Sequence, residues 1–270
     1  MTAEPRSEQP ADTWESGDQY EPYVGRWSRL VAREFLPWLG RTTRSRWLDV
    51  GCGTGALTQI ILEQTAPLEV VGVDPSPGFI AYARRQITDP RVRFESGDAR
   101  YLPLVSGTFD IVVSGLVLNF VPQPDQAVAE MRRTARPGGL VGSYVWDYAG
   151  KMELMRYFWD AVVALDPNAA DIDEGRRFPL CNPDQLTKLF ARAGIQRIET
   201  GAVDVPTVFR DFDDYWQPFV GGQGPAPSYA MSLSAERRDA LRDHIRARLP
   251  IEPDGSIHLI ARAWAVKGLA

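Results

Sequence analysis

Between Trp47 and Gly55 an apolar run (Trp47, Leu48, Val50) gives way to three glycines in five positions, Gly51, Gly53 and Gly55. A chain that leaves a strand and enters a helix here needs backbone angles that glycine supplies without steric cost. The missing side chains also let a ligand lie against the main chain, beside helix-start N–H groups that lack partners of their own. Asp49 precedes the loop. Asp74 closes the next apolar run, 23 positions after Gly51, and Asp98 follows the third run within Ser96-Gly97-Asp98-Ala99. Carboxylates placed after successive parallel strands gather at one end of a sheet, the end where such sheets bind ligands. There Asp74 can accept hydrogen bonds from a ribose diol, and Asp98 sits where an adenine amino group is read. Asp49 would repel a pyrophosphate laid on the loop and attract a cation. The three acids together predict a pocket for a positively charged adenosine derivative rather than for a dinucleotide.

The elements that must position these residues alternate along the chain. Apolar runs at Glu69–Val73, Val92–Glu95, Phe109–Ser114 and Leu140–Trp146 read as strands, and Ala56–Gln64, Pro77–Ile87 and Asp125–Ala135 read as the helices between them. Strands separated by helices of this length imply βαβ units and a parallel sheet covered on both faces. Ahead of them an amphipathic stretch, 20–39, becomes helical near Trp27 and stops at Gly40. Beyond Trp146 come a helix from about Lys151 to Leu165 and an acidic loop. Asn182-Pro183-Asp184 then starts a helix that Ala193-Gly194 ends, and Ile195–Thr200 reads as a strand. The last elements are an aromatic block over about 205–252, with a helix from Ser234 to Arg248, and a closing strand, Ile257–Val266.

Of 270 residues, 44% are hydrophobic and 24% charged, with a net charge of −5, as in an ordinary globular protein. That balance, with scattered arginines and few lysines, excludes a surface built to hold nucleic-acid phosphates. Two cysteines and two histidines at unrelated positions make no metal site or disulfide framework. No apolar run is long enough to cross a bilayer, and the first residues lack a signal peptide's apolar core, so a cytoplasmic protein is expected.

The motifs resemble those of class I S-adenosylmethionine (SAM)-dependent methyltransferases, in the small-molecule (methyltransferase type 11-like) branch. Asp49-x-Gly51-x-Gly53-x-Gly55 is similar to the family's first motif, Gly72-Val73-Asp74-Pro75-Ser76 to its second and Gly97-Asp98-Ala99 to its third. The run Phe109–Ser114, continuing to Pro122, resembles the fourth-strand motif, and Arg136-Pro137-Gly138-Gly139 the turn before the fifth strand. The resemblance covers residues 45–146 closely. It implies a doubly wound, seven-stranded, mostly parallel Rossmann-like sheet with an antiparallel last strand and helical cap insertions. It also implies a single domain over 19–270 behind an arm at 1–18, with a lid at 19–40 and insertions at about 147–181 and 205–252.

Carried over by position, the resemblance implies that Gly51, Cys52 and Gly53 line the methionine part of SAM, with Asp49 orienting its ammonium group and Ser114 near the same end. Asp74 would hold the ribose, Pro75 and Ser76 flank the adenine, and Asp98 and Ala99 recognise its edge. The stretch Tyr20–Trp27 resembles the lid of related enzymes, so Arg26 and Tyr20 are expected at the cofactor, and Tyr23 and Trp27 over the acceptor. Asn119 occupies a segment where many small-molecule members have histidine, and asparagine cannot act as a base. The expected activity is methyl transfer to a small, apolar or aromatic acceptor, by positioning and desolvation. No catalytic side chain is assigned, and neither nucleic acid nor membrane is an expected partner. A SAM-binding sensor without transferase activity is the alternative, because methyl transfer needs geometry more than a signature residue.

Overall fold

A computed structural model describes residues 25–40, 44–221 and 224–270. Its centre is a seven-stranded sheet in the order β3-β2-β1-β4-β5-β7-β6. The strands are β1 (Arg46–Val50), β2 (Glu69–Asp74), β3 (Val92–Ser96), β4 (Phe109–Gly115), β5 (Ala135–Trp146), β6 (Gln196–Phe209) and β7 (Ile257–Leu269). The first five pair in parallel, and β7 runs antiparallel between β5 and β6. The order reverses between β1 and β4, which opens a crevice at the carboxyl ends of those strands.

Helices cover the sheet as the apolar spacing requires. The helix α1 (Arg26–Leu39) buries Val31, Ala32, Phe35, Leu36 and Leu39, an i, i+3, i+4 stripe. The glycine turn feeds α2 (Ala56–Thr65), and β2 feeds α3 (Pro77–Gln86), where Ser76 accepts a hydrogen bond from the Phe79 N–H and Pro77 takes the first turn. The helix α4 (Pro124–Thr134) joins β4 to β5. Buried Val70, Val71, Val73, Val112 and Val113 are near-continuous apolar runs, as a strand covered on both faces demands.

After β5 come α5 (Glu153–Leu165), a 3₁₀ turn (Pro167–Ile172), the short α6 (Glu174–Arg177) and α7 (Pro183–Arg192), whose start Asn182 caps through the Asp184 N–H. Between β6 and β7 lie α8 (Phe212–Gly221), α9 (Pro225–Ser232) and α10 (Ala235–Arg246). Two of these differ from the sequence reading, which found only an irregular aromatic block before α10. Phe212, Tyr215, Trp216 and Phe219 are buried at helical spacing along α8 despite Pro218. Trp216 and Phe219 lie 6.1 Å apart, and Phe219 stacks on Phe158 of α5 at 4.5 Å. Packing supplies what local propensity withholds. The strand β6 also runs nine residues past the expected Thr200. Alternate residues Val203, Val205, Thr207 and Phe209 are buried, and Pro206 is tolerated because β6 is an edge strand, paired only with β7.

Candidate active site

The pocket forms where β1 and β2 deliver their acids. Gly51, Gly53 and Gly55 have φ of +74°, +52° and +89°, the left-handed region that glycine enters freely. The turn is tied to β2 through hydrogen bonds from the Gly51 and Cys52 N–H groups to the Val73 carbonyl, at 2.7 and 3.1 Å. A Cβ on Gly51 would stand 2.6 Å from the Val117 side chain, so the glycine loop and the segment after β4 meet closely at the floor of the site. At Gly53 no atom lies within 4 Å of where a Cβ would stand. Above this floor is a cavity of about 480 Å³, within the usual range for small-molecule sites.

Asp49, Asp74 and Asp98 all line that cavity, with Gly51, Cys52, Gly53, Pro75, Ser76 and Ala99. Asp49 is 1% exposed. Its Oδ2 accepts a 2.7 Å hydrogen bond from the Thr58 hydroxyl of α2, and its Oδ1 is buried without a partner among the described residues. Burial pushes the Asp49 carboxyl up to about 7; the Thr58 bond opposes the shift and the nearby Asp74 charge adds to it. Asp74 is organised differently. Its Oδ2 accepts the Gly53 N–H at 3.0 Å and its Oδ1 the Ser76 N–H at 2.9 Å, so it braces the loop while each oxygen keeps a lone pair. Burial raises its pKa, and the two backbone bonds hold it down. Asp98 is more open. Arg100 donates to it at 2.6, 3.0 and 3.1 Å and lowers its pKa. Burial pushes the Cys52 thiol well above its ordinary value, so it is an inert wall of the loop.

The other expected site residues that are described, Ser114, Asn119, Arg26 and Trp27, lie outside the lining. Ser114 is fully buried, cross-strand from Ser143, and it is the next residue, Gly115, that lines the cavity, since neighbours on a strand face opposite sides. Asn119 is not in the lining; its Nδ2 is buried without a partner among the described residues, while Val117, Phe120, Val121 and Pro122 around it reach the cavity. Arg26 is drawn to the inserted α8 instead, with Nη1 3.1 Å from Asp214 and its guanidinium 4.4 Å from the Trp27 ring and 4.8 Å from the Phe209 ring. Trp27 packs edge-on against Phe209 at 5.4 Å. Ser28, further along α1, is in the lining. Tyr20 and Tyr23 lie outside the described residues.

The far wall escaped the sequence reading. It is built from Gly115, which ends β4, from Leu116 and Val117 after it, and from Tyr144, Trp146 and Tyr148 at and beyond the end of β5. Leu116 holds φ of +63°, a strained value for a side chain with a Cβ, and its N–H bonds to the Tyr144 carbonyl at 2.7 Å. The Tyr144 ring lies 4.6 Å from Phe35, and its hydroxyl reaches toward Gly115, where a Cβ would be 2.5 Å from it. Phe178, just after α6, closes the cluster edge-on to Phe120 at 5.0 Å and 5.4 Å from Tyr148.

This sheet order, the glycine turn and the three acids at successive strand ends give the chain a Rossmann-like, methyltransferase-type fold with a ligand crevice at its switch point. Residues 48–142 match the family described as Methyltransferase domain. Among relatives, the chain is 32% identical over 130 residues to the demethylmenaquinone methyltransferase of Lactobacillus johnsonii, covering 46% of this chain and 53% of that one. It is 27% identical over 222 residues to the malonyl-[acyl-carrier protein] O-methyltransferase of Geobacter sulfurreducens, covering 81% and 82%. Against relatives like the first, the chain spans about half their length. The fold is shared with phosphoethanolamine N-methyltransferase 2 of Haemonchus contortus, solved with S-adenosylhomocysteine (TM-score 0.54, 18% identity, 91% of this chain and 53% of that chain). It is shared equally with the [4+2]-cyclase SpnF (TM-score 0.53, 21% identity, 90% and 80%). Among the described residues no helix is long and apolar enough to cross a membrane, and no cluster of ligating side chains could hold a metal.

Proposed function

We propose that this chain binds SAM in the cavity and transfers its methyl group to a small-molecule acceptor. The observation that carries the reading is the buried, unpartnered Oδ1 of Asp49 at a cavity wall that also holds Asp74 and Asp98. A buried carboxylate oxygen without a donor is costly, and a ligand ammonium group repairs it. Gly51, Cys52 and Gly53 would line the methionine part, with Asp49 holding the ammonium. Asp74 would accept the ribose hydroxyls through its remaining lone pairs, and Pro75, Ser76, Asp98 and Ala99 would frame the adenine.

When bound, the cofactor supplies an electrophilic methyl on a sulfonium, which leaves as a neutral thioether. The protein's task is therefore to hold the acceptor atom about 3–3.5 Å from that carbon and to exclude water. The apolar wall from Leu116 to Tyr148 serves both ends. Incubation of the chain with methyl-labelled SAM and a panel of metabolites tests the reading: label in an acceptor supports it. S-adenosylhomocysteine (SAH) binding without turnover on a broad panel would favour a non-transferring role, for which the shared fold of a cyclase is the precedent.

A further inference from the structure

The two halves of the cavity differ in chemistry, and the difference bears on the acceptor. Asp49, Asp74, Asp98 and Arg100 are the charged side chains of the described lining, and all sit on the β1–β3 side. Arg100 is committed to Asp98 by three hydrogen bonds and donates a further one to Gln123 at 2.5 Å. The β4–β5 half presents Leu116, Val117, Phe120, Tyr144, Trp146 and Tyr148, backed by Phe178. Among the described residues, a carboxylate or phosphate entering that half meets no cation to replace its water, and it lies beside a wall whose net charge is negative. Flat aromatic walls suit a flat apolar guest.

The same half holds no histidine, lysine, aspartate or glutamate among the described residues, so, its tyrosines aside, the described wall offers no base for an alcohol. An aliphatic hydroxyl, about as weak an acid as water itself, would keep its proton there. A phenolic hydroxyl, at about 10 or below when substituted, reaches the reactive anion without help from the protein.

Resting on the methyl-transfer reading, we infer that the acceptor is an uncharged aromatic compound methylated on a phenol-class hydroxyl that ionises through its own acidity. The phenol gives its proton to solvent. A phenolate lone pair then forms the O–C bond as the C–S bond breaks, and that electron pair stays on sulfur. The products are an aryl methyl ether, neutral SAH and one proton. The phenolate charge cancels the sulfonium charge as the bond forms, so an anion with no cation beside it is present only in company with its electrophile.

The test uses the full chain, SAM and four matched panels: phenols with pKa from about 7 to 10, aliphatic alcohols, aromatic carboxylates and phosphate monoesters. Phenols should exceed the other classes at least tenfold in kcat/KM, and the rising limb of the pH profile should move with the acceptor's pKa from one phenol to the next. A preference for another class, refusal of every phenol, or a rising limb fixed at one pH for all phenols overturns the inference. Calorimetry with SAH on the same preparation separates the two levels: without SAH binding the cofactor reading fails, whereas SAH binding with phenols refused sinks only the acceptor class. Two variants localise the effect. Trp146→Ala should raise the phenol KM at least tenfold while the SAH Kd changes less than twofold. Val121→Asp, at the partly exposed rim of the same wall, should do the same by repelling the phenolate, and it serves if Trp146→Ala does not fold. Unchanged phenol KM in both folded variants places the acceptor elsewhere.

Discussion

Replacing Asp49 with asparagine should make the empty protein less sensitive to pH while weakening its hold on the cofactor. In the wild type the folded carboxyl titrates at about 7, against an ordinary 3.8, chiefly because it is buried. The folded state therefore binds the proton more tightly than the unfolded state, and the stability this contributes is present at low pH and lost as pH rises through the folded value. Between pH 5 and pH 8 the loss from this one group comes to about 2.5 kcal/mol. The Asp49→Asn variant has no charge to bury at this position, so the wild-type and variant unfolding curves, compared at each pH, should diverge by that amount across the interval. The asparagine amide would sit where Oδ1 now lacks a partner, a cost of about 1–3 kcal/mol at every pH. Hence the variant gains on the wild type as pH rises from 5 to 8 and equals or exceeds it at pH 8. Ligand binding has the opposite slope, because an ammonium group selects the ionised carboxyl. SAH affinity of the wild type should rise about fivefold from pH 6 to pH 7, and that of Asp49→Asn should be weak and flat. Urea unfolding at four pH values and calorimetry at two measure both effects. A wild-type-minus-variant stability difference that stays constant from pH 5 to pH 8 would refute the reasoning about burial, whatever the ligand does.

Three further outcomes follow from the same geometry. Asp74→Ala should weaken SAH binding by more than about 1 kcal/mol, the scale of a lost hydrogen bond to a charged group, and calorimetry showing unchanged affinity removes Asp74 from the ribose. Gly51→Ala should cost about 1–3 kcal/mol of stability, since it combines φ of +74° with a Cβ 2.6 Å from Val117; an unshifted thermal midpoint would show that the loop yields. Arg26→Ala should lower stability by up to about 1 kcal/mol through its half-exposed contact with Asp214 and the ring stacking, with SAH affinity within twofold. A tenfold loss of affinity would instead return Arg26 to the cofactor.

The acidic half of the cavity was legible because each of its residues sits at a chain feature that sequence marks. Glycines in a turn, an acid at a strand end and a proline at a helix start are local signals, and Asp49, Gly51, Asp74, Pro75 and Asp98 all lie at such points. The aromatic half has no such marks. Tyr144 and Trp146 alternate along β5 as core residues do, and only the assembled sheet shows that its carboxyl end opens into the crevice. Ser114 illustrates the limit of positional carry-over, because a one-residue step on a strand turns a side chain to the other face. Arg26 illustrates another: its partner Asp214 lies 188 residues away on a helix that the sequence rhythm concealed. The long β6 and the helices α8 and α9 were hidden for the same reason, since burial against α5 and β7, not local propensity, holds them.

Calorimetry of the full chain with SAM, SAH and NAD at pH 7.5 bears most directly on the claim that the three strand-end acids form one pocket for a cationic adenosine derivative. SAM and SAH should each bind once per chain, and NAD should give no heat of binding. Binding of NAD tighter than that of SAM, or no binding of either SAM or SAH, would contradict it.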